Sequence, residues 1–264
     1  MIRKHFKRDF AHLLGLLKEN KPFAFTRFSD GELYILQNRE CWIKTSTCQV
    51  REQVHQGFWG EEELKSFNPE TDQSLREKLQ ECFSHKQENY FKGISCKCCV
   101  GEKDWAWQFE NAVSPDEEYL TWANLLINGN YIDFITQMFP AMKEHKVVYT
   151  CNKLANLKKL PLDLVKDFRV GQNCHINDIH LVEEMKEWIS KNKIQNHLFL
   201  FSAASLSNIL IYELYKEFPN NIYMDIGSTL NPMLDLDGWK GSRGYLKGHW
   251  LNAPEPNYYK ICEW

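Results

Sequence analysis

Apolar residues near the start of the chain recur at the spacing of an amphipathic helix over residues 6–20; they are Phe6, Phe10, Leu13, Leu14 and Leu17. After Pro22, the apolar residues 23–25 predict a short strand. Apolar residues resume at 33–36 as the beginning of a second helix. The mostly polar segment 27–32 is therefore predicted to lie in the loop, or in the first helical turn, of a strand–loop–helix unit.

The second half of the chain alternates between buried-type strands and helices. An apolar strand at 197–201 is followed by a helix at 206–218 and a strand at 222–227, which together predict a βαβ unit. Further helices are predicted at 72–87, 132–142 and 178–191, further strands at 91–95 and 146–150, and a helix start at the Ser-Pro-Asp-Glu-Glu run of residues 114–118. This alternation predicts an α/β fold with a Rossmann-like, mostly parallel sheet flanked by helices.

The length of the chain suits one large domain or two small ones. With 264 residues, of which 43% are hydrophobic, it can bury a sizeable core. No internal repeat or low-complexity linker interrupts it. Residues 231–264 are rich in Gly, Pro and aromatic residues, which predicts an irregular cover rather than a second domain. We therefore expect a single domain over residues 1–264.

Charge and cysteine content narrow the class of protein. The formal net charge of −3 favours neither a polyanionic partner nor a membrane surface. The basic residues 1–8 lack the following apolar segment of a signal peptide, and no stretch reaches the apolar length of a membrane span. Nine cysteines without a signal peptide indicate thiols in a reducing compartment. We expect a cytoplasmic location, in a bacterium or in the host cell of a virus.

The polar segment of the first strand–loop–helix unit carries the clearest indication of chemistry. Asp30 and Glu32 flank Gly31, and such a pair can direct carboxylate oxygens toward one divalent cation. Arg27 precedes them and can meet a phosphate. A cation and an arginine at a strand end suit a bound nucleotide diphosphate. The other interpretation of these residues is an ordinary surface turn.

Polar residues also follow two later strands. Ser202 and Ser205 precede a helix, where hydroxyl and backbone N–H groups attract anions, although they also suit a helix cap. Asp225 ends the next strand and is followed by Ser228. At that edge of a parallel sheet Asp225 can hold a ligand or act as a base, or it can cap the turn. Arg243, in a glycine-flanked loop, suits either a phosphate clamp or a surface position.

Two other segments admit a functional interpretation. Cys96, Cys98 and Cys99 place three thiols within four residues, and such a group of thiols suits a structural zinc site. On a strand, the adjacent Cys98 and Cys99 would point in opposite directions, so ordinary strand-end thiols are the expected arrangement. Asn124 lies in an amide-rich segment suited to hydroxyl-rich ligands or to turns. A non-catalytic zinc- or nucleotide-binding module around the cysteines is therefore the alternative to an enzyme.

These residues resemble a known family. The segment Arg27-Phe28-Ser29-Asp30-Gly31-Glu32 resembles the RFGDGE segment of the GT-D-fold glycosyltransferases, a group first catalogued as a domain of unknown function. Three other segments, in the same order along the chain, are similar to proteins with GT-D-like domains: residues 93–99, 123–131 and 223–228. Ser29 departs from the family's usual Gly, and the turn at Ser202 lacks Gly-Pro character.

The resemblance implies a GT-D-type fold, a nucleotide-sugar donor and a divalent cation bound by Asp30 and Glu32. Mn²⁺ is the expected ion and Mg²⁺ the alternative. We expect Asp225 and Glu32 to be catalytic in hexosyl or pentosyl transfer. A UDP-sugar is the expected donor, bound by Arg27, Gly31, Asn124, Ser202, Ser205, Ser228 and Arg243. The expected acceptor is a hydroxyl of a glycan or glycoconjugate, and a hydroxylated base in viral DNA is the alternative.

Overall fold

The described part of the chain contains two β-sheets. The computed structural model describes residues 6–44, 47–50, 53–56, 64–127 and 130–236. Its strands are β1 (Phe23–Phe28), β2 (Cys41–Lys44), β3 (Thr47–Val50), β4 (Gln53–Gln56), β5 (Leu64–Phe67), β6 (Tyr90–Ile94), β7 (Leu120–Trp122), β8 (Lys146–Asn152), β9 (Asp163–Val170), β10 (Leu198–Phe201) and β11 (Ile222–Asp225). A seven-stranded sheet has the order β7–β6–β1–β11–β10–β8–β9, with every neighbouring pair parallel. The order β4–β3–β2–β5 forms a smaller antiparallel sheet.

Helices connect most of the parallel strands. They are α1 (Phe6–Lys18), α2 (Asp30–Leu36), α3 (Gln73–Ser84), α4 (Lys97–Asn111), α5 (Tyr131–Asp133), α6 (Phe139–Met142), α7 (Cys174–Asn177), α8 (Leu181–Asn192) and α9 (Ala204–Glu217). A π-helical turn, Phe134–Met138, joins α5 to α6, and 3₁₀ turns lie at Leu157–Lys159 and Asn231–Met233. None of the described helices is both long and apolar enough to cross a membrane.

Alternate residues of each central strand pack into two separate cores, one on each face of the large sheet. In β1, Phe23 and Phe25 enter the core that also contains apolar residues of α1 and of α5 to α6. Ala24 and Phe28 enter the core on the other face, with residues of α3, α8 and α9. Because both faces are covered, the central strands are apolar almost throughout, as parallel strands usually are. The cores therefore hold the strand ends, and the side chains on them, in place.

Most of the predicted elements are confirmed. The helix at the start of the chain, the strand–helix unit formed by β1 and α2, and the βαβ unit formed by β10, α9 and β11 all lie where the hydrophobic pattern places them. The last unit is parallel, with Phe199 beside Tyr223. The α/β class with a mostly parallel sheet flanked by helices is confirmed. The tail beyond residue 236 lies outside the described residues.

Two local predictions are wrong. Residues 114–118 do not start a helix: they form a turn that leads into β7. The reason is a tertiary contact, since the Glu117 carboxylate accepts a hydrogen bond from the fully buried Lys92 ammonium at 2.7 Å. The interpretation of Cys98 and Cys99 as strand residues is wrong, because β6 ends at Ile94 and both cysteines lie in the first turn of α4, with Cys96 at its N-cap. The sequence pattern also missed β7, β9, α4, α7 and the whole of the smaller sheet.

Candidate active site

A buried ion pair joins the ends of two neighbouring parallel strands. Arg27 on β1 donates from Nη2 to Oδ1 of Asp225, the last residue of β11, over 3.0 Å. Asp225 is only 4% exposed. Burial raises the pKa of the Asp225 carboxyl above its usual value, against the opposing effect of the Arg27 guanidinium, and the nearby charge of Glu32 raises it further. Asp225 is thus a carboxylate whose affinity for a proton is raised.

Gly227 makes room for the Arg27 guanidinium. Its backbone has φ +48°, and a Cβ added there would lie 1.9 Å from Nη2 of Arg27. Its N–H also donates to Oδ1 of Asp225 at 2.9 Å. A glycine is needed at this position both for the left-handed backbone and for the close approach of the guanidinium. The turn after β11 is therefore built around the Arg27–Asp225 pair.

The Glu32 carboxylate is held by four hydrogen bonds in the first turn of α2. Oε2 accepts from the backbone N–H of Ser29 at 3.1 Å and from its hydroxyl at 2.7 Å. Oε1 accepts from Nζ of Lys65 at 2.6 Å and from the hydroxyl of Ser205 at 2.7 Å. Burial raises the pKa of Glu32, but the Lys65 charge and the hydrogen bonds outweigh it and lower the pKa to about 2. Glu32 is therefore an ionised, immobilised carboxylate.

Lys65 comes from the smaller sheet and reaches the main site because β5 is tied to α7. The side chain of Asn173 accepts from the backbone N–H of Ser66 at 2.9 Å and donates to its hydroxyl at 2.8 Å. His175 hydrogen-bonds the carbonyl of Ser66 through Nε2 at 2.8 Å. Burial, with the Lys65 charge, lowers the pKa of His175 to about 4, so the imidazole is neutral near pH 7 and Nε2 donates to the carbonyl. These three hydrogen bonds hold the backbone next to Lys65 in place.

The turn between β10 and α9 adds two serines with different surroundings. The hydroxyl of Ser202 donates to the carbonyl of Gly227 and accepts from Tyr149 at 2.9 Å. Ser205 is fully buried, and its hydroxyl donates to Glu32. Between them, Ala204 is exposed and has φ +45°, a left-handed conformation that costs on the order of 1–3 kcal/mol for a residue with a side chain. The strained turn links Glu32 to the turn after β11.

The loop after β7 borders the same site. Arg27 also donates from Nη1 to the carbonyl of Ala123 at 3.4 Å. The next residue, Asn124, donates from Nδ2 to Sγ of Cys99 at 3.3 Å. Gly93 allows the start of the loop to pack closely against β6, since a Cβ at Gly93 would lie 2.9 Å from the carbonyl oxygen of Trp122. The loop therefore connects Arg27 on one side with the cysteines of α4 on the other.

The structure thus brings together most of the predicted site residues. Arg27, Gly31, Glu32, Asn124, Ser202, Ser205, Asp225 and Ser228 all lie at or just beyond the carboxyl ends of β1, β7, β10 and β11. Nζ of Lys65 lies next to Gly31, 2.5 Å from the position that a Cβ would occupy there. Asp30 begins α2, but its side chain lies outside what the structure describes, as does all of Arg243. The assigned roles of these residues stay predictions.

The predicted divalent cation can be tested against the donor atoms on this edge. A carboxylate offers about four lone-pair positions, and each oxygen of Glu32 already accepts two hydrogen bonds. One of those donors is the Lys65 ammonium, which repels a metal ion. In this arrangement Glu32 is unsuited to coordinate a metal ion directly. Its observed contacts bind Lys65 and join α2 to Ser205 in α9.

Sequence reasoning missed Lys65, Asn173 and Gly227. Lys65 lies on a four-residue strand more than thirty positions from Glu32, and no periodic pattern marks such a short strand. Asn173 acts only through its contacts with Ser66. Gly227 carried a usable signal, because a glycine directly after a polar strand end is typical of a close backbone approach.

Comparisons with known proteins find a shared fold. No model of a protein family matches the chain, and no curated protein sequence matches it. Among solved structures, one described as a new glycosyltransferase (DUF1792) from Streptococcus sanguinis is similar with a TM-score of 0.55 and 13% identity, over 86% of this chain and 81% of that one. Another, in which DUF1792 is described as having a distinct glycosyltransferase fold, has a TM-score of 0.51 and 15% identity, over 97% of this chain and 91% of that one.

A third, a selenomethionine-substituted DUF1792 structure, also has a TM-score of 0.51, with 16% identity and the same coverage. The chain therefore has the fold of the DUF1792 structures, and the GT-D-like resemblance predicted from its sequence is confirmed at the level of the fold.

Proposed function

We propose that this protein is a glycosyltransferase that moves a sugar from a nucleotide-sugar donor to a hydroxyl group of a glycan or glycoconjugate. The observation that carries the proposal is the pairing of Arg27 with Asp225 and of Lys65 with Glu32 at one edge of the sheet. In open α/β sheets ligands bind at the carboxyl ends of the strands. The shared fold with structures described as glycosyltransferases supports the same class.

Arg27 and Lys65 are the residues we assign to the leaving group. When the sugar is transferred, the bond between its anomeric carbon and the diphosphate breaks, and negative charge collects on the diphosphate. Cations held in place before the reaction stabilise that charge most effectively, because no reorganisation is needed. The guanidinium is fixed by Asp225 and Gly227, and the ammonium by Glu32. Arg27 suits a phosphate because its planar group can donate two parallel hydrogen bonds.

Asp225 is the residue we assign to the acceptor. A carboxylate with a raised pKa is a stronger base than an ordinary one. It can accept the proton of the acceptor hydroxyl as the oxygen attacks the anomeric carbon. Burial raises the pKa of Asp225, which supports this assignment. Arg27 and Gly227 both donate to Oδ1 of Asp225, so Oδ2 is the atom that we assign to the acceptor hydroxyl.

We extend the proposal to a UDP-sugar donor and to a divalent cation, Mn²⁺ or Mg²⁺. Asp30 is the residue that would hold the ion, since Glu32 is already occupied by its hydrogen bonds. When bound, the ion would share the charge of the diphosphate with Arg27 and Lys65.

The test is release of nucleoside diphosphate from a panel of UDP-, GDP-, ADP- and TDP-sugars, in which water takes the place of the acceptor hydroxyl, with Mn²⁺, with Mg²⁺ and with a chelator. We expect turnover of UDP-sugars, dependent on the cation. Arg27→Gln and Asp225→Asn should each lower kcat/KM by roughly 100-fold or more. Asp163→Asn is the matched control, because Asp163 is an exposed aspartate at the amino end of β9 and should leave turnover unchanged.

Each part of the proposal has its own refuting result. If no donor is turned over under any condition, or if both site variants keep wild-type turnover, the transferase assignment is wrong. Full turnover in the chelator removes the cation from the proposal, and full turnover by Asp30→Ala with Mn²⁺ removes Asp30.

A further inference from the structure

Three cysteine thiols converge at the start of α4. Cys96 follows β6, and Cys98 and Cys99 lie in the first turn of the helix. All three Sγ atoms lie within 4.8 Å of one another, and those of Cys96 and Cys98 are 2.9 Å apart. Cys96 is buried, whereas Cys98 and Cys99 are exposed. The three sulfur atoms therefore form one cluster that opens to the surface.

The backbone explains why adjacent cysteines can face one point. Cys96 is extended, and its carbonyl then accepts from the N–H groups of Cys99 at 3.1 Å and Val100 at 3.2 Å. Gly101, with φ +78°, turns the chain directly afterwards and breaks the helical geometry. Residues 96–101 thus form a tight loop. The Cys96-x-x-Cys99 spacing is that of ligand pairs in structural zinc sites.

We propose that Cys96, Cys98 and Cys99 bind a thiophilic metal ion, Zn²⁺, as three thiolates. In a tetrahedral site with Zn–S distances of about 2.3 Å the sulfur atoms lie about 3.8 Å apart, which small side-chain rotations can reach from the observed cluster. Each thiol gives up its proton when it binds the ion. The fourth position faces the open side and takes a water molecule or another ligand.

Asn124 provides a hydrogen bond that supports this site from outside it. Its Nδ2 donates to Sγ of Cys99 at 3.3 Å. Such a hydrogen bond stabilises the negative charge of a thiolate and orients it toward the ion. Asn124 is nine-tenths buried, so its amide is held in position.

The site would reinforce the neighbouring loop. The carbonyl of Ala123 accepts from Arg27, and the next residue contacts Cys99. A metal ion at the cysteines would therefore fix the loop between β7 and α5 that supports the guanidinium. The proposal rests on the sulfur cluster and does not depend on the proposed transferase activity.

The test is metal binding by the full chain under anaerobic, reducing conditions. We expect about one equivalent of Zn²⁺, and Co²⁺ in its place should show the intense absorption of thiolate-to-cobalt charge transfer. Oxygen ligands do not give this band, so it separates the cysteines from a cation held by carboxylates. Cys96→Ser, Cys98→Ser and Cys99→Ser should each remove most of it. Asn124→Ala should weaken the affinity for Zn²⁺ by about 10- to 100-fold.

Cys174→Ser is the matched control. The Cys174 thiol donates to the carbonyl of Ala203, a hydrogen bond that a serine hydroxyl can make, and the variant should keep the full charge-transfer band. Because a cysteine variant can fail to fold, a second measurement uses the wild-type chain. Zn²⁺ should slow alkylation of Cys98 and Cys99, as followed by mass spectrometry. No charge-transfer band in the wild type, a band that persists in the three cysteine variants, or alkylation unaffected by Zn²⁺ would each overturn the proposal.

Discussion

At the scale of single residues, Gly227 shows how a missing side chain shapes the site. We expect Gly227→Ala to lower the free energy of unfolding by at least about 1–2 kcal/mol, because alanine disfavours φ +48°. It should also displace Arg27 and lower turnover, since the added Cβ would lie 1.9 Å from Nη2. Chemical denaturation and the nucleotide-release assay measure the two effects.

Gly15→Ala is the control for that substitution. Gly15 lies within α1, and a Cβ there would meet nothing within 4 Å. Alanine should therefore stabilise the protein by about 0.5–1 kcal/mol. Equal effects of the two substitutions would contradict the special role of Gly227.

Glu32 gives the folded state a defined dependence on acid. Its pKa is about 2 when folded against 4.5 for an ordinary glutamate. The stabilisation is therefore complete above pH 4.5 and is lost as the pH falls toward 2. Between those values, the wild type should lose on the order of 3 kcal/mol more unfolding free energy than Glu32→Gln. Parallel pH–stability curves for the two proteins would refute this prediction.

His175 acts in a different pH window. Its pKa is about 4 in the folded state and 6.5 ordinarily, so between these values the unfolded chain binds more protons. Stability should therefore decrease as the pH falls from 6.5 to 4. His175→Gln keeps a donor for the carbonyl of Ser66 and should remove this decrease, which we expect on the order of 3 kcal/mol. Urea denaturation across this range tests it; a variant that keeps the full decrease would exclude His175 as its source.

At the scale of elements, the strand β5 matters because it delivers Lys65. In Lys65→Met the buried Glu32 loses its charged partner, which typically costs about 3–5 kcal/mol. The side chain of Lys65 is 15% exposed and that of Glu32 is 5% exposed. The double variant Lys65→Met/Glu32→Gln should recover part of the loss, because no unpaired charge stays buried. Denaturation of the three variants measures this coupling.

Lys159→Met serves as the control for the loss of a lysine ion pair. Lys159 pairs with Asp235 at 2.9 Å, but their side chains are 65% and 43% exposed. Exposed pairs contribute less than about 1 kcal/mol, so little change is expected. A similar loss in both lysine variants would mean that burial of Glu32 is not the cause.

Elements with strong periodicity could be predicted from the chain, and contact-dependent ones could not. α1 and the unit of β10, α9 and β11 follow directly from apolar spacing. β9 lies at the edge of the sheet, and its adjacent apolar pair Leu164-Val165 and adjacent charged pair Lys166-Asp167 break the alternation that marks a half-buried strand. The run at 114–118 resembles a helix start, yet the buried Lys92–Glu117 pair holds it as a turn.

At the scale of the whole molecule, binding of the proposed nucleotide-sugar donor should stabilise the folded state. A ligand at 100 times its Kd stabilises a protein by about 2.7 kcal/mol. We expect the preferred nucleotide sugar to raise Tm in a concentration-dependent way, and Arg27→Gln to abolish the shift. An equal shift in Arg27→Gln would place the donor elsewhere on the molecule.

The sequence by itself determined the class of fold, because apolar spacing decides which segments become strands and helices and in which order. It also marked Asp30, Glu32 and Asp225 as polar residues at strand ends. Only the tertiary structure decided what those residues touch. Lys65 reaches Glu32, and Arg27 reaches Asp225, across 33 and 198 positions of the chain. The cysteines show the same limit, since the turn between the end of β6 and α4 brings their sulfur atoms together. Contacts between distant residues depend on how the elements pack, and local patterns do not record packing.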